Sequence, residues 1–148
     1  MQLAKSLVEF FQSSISPLVL ISGVGLILLS LTNRLGRTID RSRELVGEIE
    51  KGSLSENEKE NKRIQLRILV KRSYLLKNSI GSISFSILSS SLIIPILLIM
   101  NLFKVNLEAL GITFFVLSII GIILSAIFLF IDVSLTLKAL EYEIKDHI

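Results

Sequence analysis

The chain has 148 residues, 51% of them hydrophobic even without counting glycine, against roughly 45–50% with glycine in ordinary soluble domains. It has no cysteine and one histidine, His147 near the chain end, which excludes disulfides, thiol catalysis and thiolate metal sites and leaves no partner for a histidine-based metal centre. The net charge of +3 hides an uneven distribution: residues 10–33, 78–103 and 109–131 carry no charged side chain at all. Each of these runs exceeds the ~20 residues a helix needs to cross a hydrocarbon core of ~30 Å.

Residues 1–14 place Leu3, Leu7, Val8, Phe10 and Phe11 on roughly one helical face, with Lys5, Glu9 and Gln12 elsewhere. That pattern predicts a short amphipathic helix lying in the outer interface. Ser16-Pro17 then reads as an N-cap followed by proline at the first helical position, where a missing N–H costs nothing. The first span is expected over residues 15–33. It reads as an anchor and not a cleaved signal peptide, because no basic region precedes it and no small-residue cleavage site follows.

Past Asn33 the helix has no breaker. Leu35, Ile39, Ser42, Val46 and Ile49 recur at heptad-like spacings, opposite Arg34, Arg37, Arg41, Glu44 and Glu48. The first helix should therefore run to about Lys51 and end at Gly52-Ser53. Ser55-Glu56-Asn57-Glu58 has the spacing of a capping box and predicts the start of the second helix. From there Leu66, Leu69, Ser73, Leu76, Ile80, Ile83 and Ile87 keep one rhythm straight through the polar–apolar boundary at Lys77. Residues 34–77 are thus expected to form an antiparallel helical hairpin. The second span is expected over 78–101, a short turn follows, and the third span covers 109–131. The tail, 132–148, alternates Leu135, Leu137, Leu140 and Ile144 with charges and reads as a helical extension near the hairpin base.

Charge sets the expected orientation. Of the 16 Lys and Arg, 12 lie in residues 34–77, against seven acids there, while only Lys5 precedes the first span and only Lys104 lies between the second and third. Short loops rich in Lys and Arg stay cytoplasmic. The expectation is an all-α membrane protein of one domain over 1–148, with three transmembrane helices, the first two extended into a cytoplasmic hairpin. Its N-terminus would be outside and its C-terminus in the cytoplasm.

The run Ile15-Ser-Pro-Leu-Val-Leu-Ile-Ser-Gly-Val-Gly-Leu-Ile-Leu-Leu-Ser-Leu-Thr-Asn-Arg-Leu-Gly-Arg-Thr-Ile-Asp-Arg-Ser-Arg-Glu44, followed by Leu66-Arg-Ile-Leu-Val-Lys-Arg-Ser-Tyr-Leu-Leu-Lys77, resembles a family of small bacterial integral membrane proteins known as a domain of unknown function. The resemblance extends from about Ile15 to Glu143. It implies three spans and a bacterial envelope location, within which the expected place is the inner membrane, and it carries no activity or functional residue with it.

Two groups of residues stand out as candidate sites. Within the spans Ser82, Ser86 and Ser90 stand four apart, and Gly111, Ser118, Ser125 and Asp132 fall every seven residues, with Gly121 beside them; Ser22, Gly23, Gly25 and Ser30 are the small residues of the first span. Such stripes either let helices approach closely or line a polar path at an oligomer axis. At the inner membrane edge Asn33, Arg34, Arg37, Asp40, Lys77 and Asp132 form a charge cluster. Asp132 there either pairs with Arg34 or Arg37, or leaves a ring of arginines facing a vestibule.

No Ser/His/Asp set, metal-ligand spacing or phosphate-binding glycine loop occurs, so no enzyme activity and no cofactor is expected. The interleaved acids and the lack of an aromatic platform beyond Tyr74 argue against nucleic acid. The expected partners are membrane lipid, further copies of the chain, and ions. Two functional readings follow: a homo-oligomeric, channel-like protein conducting ions, or a non-conducting structural or adaptor protein whose basic hairpin binds lipid headgroups or a protein.

Overall fold

The structure, a computed structural model, describes residues 2–51 and 55–145, with side chains described within 4–51 and 55–137. Three helices account for nearly all of it: α1 (Gln2–Glu50), α2 (Glu56–Phe103) and α3 (Glu108–Lys145), with no strand among the described residues. All three are long and apolar enough to cross a membrane. The 49 residues of α1 span about 70 Å at 1.5 Å per residue, more than twice a hydrocarbon core of ~30 Å. Gly52-Ser53, expected to end the first helix, His147, and the side chains of Leu140 and Ile144 lie outside the described residues.

Local chemistry explains the helix ends. The Ser55 hydroxyl accepts from the Glu58 N–H at 3.4 Å, while the Glu58 carboxylate accepts from the Ser55 N–H at 2.9 Å and its hydroxyl at 2.8 Å. This is the reciprocal capping box, and α2 starts at the next residue. Lys104, directly after α2, has φ 50°, the left-handed position in which helices commonly terminate. Asn106 then caps α3, its Oδ1 accepting from the Glu108 N–H at 3.1 Å.

The first helix does not begin at Ser16-Pro17. α1 is continuous from Gln2, and Pro17 lies inside it. Proline there removes the bond that would satisfy the Ser13 carbonyl, a cost of about 3 kcal/mol in an isolated helix. Tertiary contacts outweigh it. Asn101 donates to the Ser6 carbonyl at 2.8 Å, and the Ser6 hydroxyl bonds the Asn101 side chain, pinning the turns ahead of the proline. Pro17 itself is buried, as is Ser14, whose hydroxyl donates to the Phe10 carbonyl at 2.9 Å. The segment expected to form a separate interfacial helix is the first part of α1.

The chain divides into two compact units, Met1–Leu29 with Gly81–Ser125, and Ser30–Ile80 with Ala126–Ile148. In each, burial follows a seven-residue repeat. On α1 it takes Pro17 and Val24 in the first unit, then Leu31, Thr38 and Leu45 in the second. On α2 the buried positions alternate by three and four: Leu76, Ser79, Ile83, Ser86, Ser90, Ile93. On α3 they are Ser118, Ser125 and Asp132, with Gly121 between. That periodicity is the coiled-coil type of packing.

Much of the interior is polar, and the surface of the uncharged runs is apolar. Among the described residues nine buried side chains are polar or charged against seven hydrophobic, while Leu26, Phe85, Leu88, Phe130 and many others of their kind lie exposed. In water that arrangement would be unfavourable; in lipid, packing is driven by close approach and hydrogen bonding because the tails are as apolar as leucine. The fold is that of a membrane protein.

Candidate functional site

The two candidate groups fall in different units. In the second unit the only buried charge among the described residues is Asp132, fully enclosed. Its Oδ2 accepts from Arg34 Nη2 at 3.0 Å and its Oδ1 from Arg72 Nε at 3.1 Å. One carboxylate thus joins all three helices, and the side chains of Arg34 and Arg72 keep 30% and 19% of their surface exposed. Opposite charges paired at hydrogen-bond distance are how an ionisable group is accommodated at the edge of a bilayer. Thr38 and Thr136 donate at 2.9 Å to the backbone carbonyls of Arg34 and Asp132, so both hydroxyls are satisfied beside the ion pair.

Of the six residues singled out in this cluster, the structure brings Arg34 and Asp132 together. Asn33, Arg37 and Asp40 are exposed, and Lys77 lies on another face. Arg72 was not singled out. Its signal was faint: it stands one helical turn before Leu76 on the buried side of α2, a position where an unpaired cation would be costly.

In the first unit Ser118 is the centre of a hydroxyl cluster. Its Oγ lies 2.9 Å from Ser86 Oγ and 2.5 Å from Ser90 Oγ, and it reaches the Ser86 carbonyl at 3.1 Å. All three serines are fully buried. Gly121 makes this closeness feasible. A Cβ there would stand 2.9 Å from the Ser82 carbonyl oxygen and 3.0 Å from Ser86 Cβ. Ser82 is half-buried and borders a shallow pocket of about 270 Å³ with Gly81 and Phe85, and Ser125 is buried one heptad past Ser118. Gly23 and Gly25 of α1, in contrast, have nothing within 4 Å of an added Cβ, and Ser22 and Ser30 are exposed, so the small residues of the first span make no close helix contact.

The hairpin arms meet in a register different from the one expected. Lys62 and Glu48 pair across them at 2.6 Å, but α1 buries Thr38 and Leu45, not Ile39 and Val46. Leu35, Ile39, Ser42 and Val46 instead line one wall of an open groove of about 600 Å³. Leu66, Val70, Ser73 and Tyr74 form the other wall, with Arg43 and Lys77 at its margin. Thr38 fits the buried position because its hydroxyl is bonded to its own helix, so it packs as a small apolar residue.

Outside the spans the carboxyl of Glu48 is held below its usual range, chiefly by the hydrogen bond from Lys62. Glu58 is lowered by its bonds from Ser55, and Glu56 by Lys59. Among the described residues no three His, Cys, Asp or Glu side chains converge to hold a metal ion.

One family model matches residues 14–142, that of the family described as protein of unknown function (DUF2721). No curated protein and no solved structure matches the chain.

Proposed function

Because this chain belongs to the DUF2721 family of unknown function, we propose its role from its own geometry: a non-conducting, homo-oligomeric scaffold of the bacterial inner membrane that holds a cation-rich helical hairpin in the cytoplasm. It needs no cofactor and performs no catalysis. The N-terminus lies outside, residues 34–77 and the C-terminal end of α3 lie inside, and the two segments are linked by the ion pairs of Asp132.

The observation that carries this reading is the closure of the polar groups. Ser86, Ser90 and Ser118, the hydroxyls best suited to line a water path, bond one another inside the protomer. Asp132 is matched by two arginines, and among the described residues no buried side-chain nitrogen or oxygen lacks a partner. An ion replacing its hydration shell needs ligands that are free to turn toward it. These hydroxyls are committed to one another. The face the spans turn outward is aliphatic and aromatic, suited to lipid.

The test is flux through proteoliposomes containing the purified full-length chain. Potassium, sodium, chloride and proton fluxes equal to those of empty liposomes are expected between pH 5 and pH 8. Flux above that background, abolished by Ser118→Val, would overturn the reading in favour of a conducting assembly.

A further inference from the structure

The strips that α2 and α3 leave exposed in the uncharged runs are bulky. Phe85, Leu88 and Leu92 follow one another at steps of three and four, as do Val116, Ile119 and Ile123. Side chains of that kind suit lipid tails. α1 has an exposed strip of the same spacing and a different composition. Ser16, Gly23 and Ser30 recur every seven residues, with Val19 and Leu26 between them, 66% and 70% exposed. Among the described residues nothing lies within 4 Å of a Cβ built on Gly23, so the protomer makes no use of the small size there. Small side chains let one membrane helix approach another, whereas lipid makes no such demand.

Size alone names no occupant; charge does. Beyond the uncharged run the same three-and-four spacing on α1 continues through Asn33, Arg37 and Asp40, all exposed. Arg37 and Asp40 have no ion-pair partner among the described residues. Their neighbours off the strip are paired, Arg34 with Asp132 and Arg41 with Glu44. An anionic lipid or an acidic segment would answer Arg37 and leave Asp40 facing a like charge. A surface that carries both signs three positions apart answers both.

A second copy of the chain presents that surface. Copies inserted in one bilayer share their orientation, so their α1 helices meet in parallel. Successive layers of such a seam lie about 5 Å apart along the axis, within the reach of an arginine side chain. Each Arg37 then meets Asp40 of the second copy, once on either side of a two-fold axis. Asn33, one layer nearer the membrane, faces its own counterpart, and an amide both donates and accepts, so the two bond each other across the axis.

Resting on the oligomeric reading above, we infer that the exposed strip over residues 16–40 of α1 seats the same strip of a second copy of this chain, packed in parallel about a two-fold axis. The contact uses one patch twice and closes on itself, so the assembly is a dimer. Ser16, Gly23 and Ser30 let the helices approach within the hydrocarbon. Asn33, Arg37 and Asp40 fix their register at its edge, the part that polar seam residues play in paired helices.

The absence of native cysteine allows a direct test in the full-length protein. Single cysteines are introduced, and the membranes are mildly oxidised. A disulfide forms only where the two Cα atoms come within about 7 Å. Gly23→Cys and Ser30→Cys are expected to give linked dimers. Leu18→Cys, Leu88→Cys and Ile123→Cys, also exposed, should give several-fold less. Asp40→Arg sets four arginines at the axis and should lower the Ser30→Cys dimer several-fold, and Arg37→Asp added to it should restore the yield. Gly23→Leu should also separate the copies. Alanine there would not, because Ser16 and Ser30 already carry a Cβ. A multi-copy native mass with linkage only at Leu88 or Ile123 overturns the α1 seam and leaves the oligomeric reading standing. Equal linkage at every position reports chance collision and overturns the seam as well. A monomeric mass with no linkage, the strip then being covered by lipid, overturns both. A Gly23→Cys adduct to a different protein overturns the second-copy assignment.

Discussion

Arg34 and Asp132 meet at 3.0 Å across 98 positions of the chain, and Arg72 closes on the other carboxylate oxygen at 3.1 Å. Removing one member of a buried pair costs about 3–5 kcal/mol, and the lower end applies because both arginine side chains are only partly buried. Asp132→Ala should lower stability by about 3 kcal/mol, read as the thermal midpoint of the purified protein. The second arginine changes the outcome of a charge swap. Asp132→Lys with Arg34→Asp still sets a lysine against Arg72, so this double reversal should recover only part of the loss, and adding Arg72→Leu should recover more. Full recovery by the first swap would mean that Arg72 contributes nothing.

Gly121 gives a second, steric prediction. A methyl group there meets the Ser82 carbonyl oxygen and the Ser86 Cα and Cβ within 3.3 Å, and the backbone atoms among these cannot rotate away. Gly121→Ala should destabilise by about 1–3 kcal/mol, the range for overpacking a close contact. Gly23→Ala and Gly25→Ala, facing open space, should leave the midpoint unchanged or slightly raised.

The serine cluster should behave as a unit. Ser118→Ala strands two neighbours that both lie within hydrogen-bond distance of its oxygen, and interhelical bonds of this sort in membranes are worth about 0.6–1.7 kcal/mol. Replacing Ser86, Ser90 and Ser118 together by alanine removes the stranded partners as well. The triple variant should therefore lose less stability than the three single variants summed. Strict additivity would show that the hydroxyls act independently.

The pattern along α3 was legible because seven-residue spacing of Gly111, Ser118, Ser125 and Asp132 is a local property, and burial follows it closely. The capping box at Ser55 was legible for the same reason. Two features were not. Pro17 carries a start signal in its local sequence, and what overrides that signal is a contact between Ser6 and Asn101, 95 positions apart. In the hairpin the apolar residues Ile39 and Val46 suggested the seam, whereas Thr38 and Leu45 fill it. A threonine bonded to its own backbone hides its polarity, and one-dimensional hydropathy does not register that. Arg72 escaped because its partner is 60 residues away.

The hairpin should loosen in acid. Glu48 titrates below its usual range in the folded protein, so its pairing with Lys62 stabilises above the ordinary carboxylate pKa and is lost as pH falls through the depressed one. Lys62→Met should return the Glu48 carboxyl toward its ordinary value, followed by carbon NMR of the labelled side chain. An unchanged titration in that variant would mean that Lys62 is not the cause.

Membrane placement of the hairpin underlies the whole account, and the cysteine-free chain makes it measurable. Asn61 is exposed on α2 within the charged segment, and Lys104 is exposed in the turn between α2 and α3. Single variants Asn61→Cys and Lys104→Cys are labelled with a membrane-impermeant maleimide in intact spheroplasts and in inverted vesicles. The account predicts that position 61 reacts only in inverted vesicles and position 104 only in spheroplasts. Labelling of position 61 from outside the cell would contradict it.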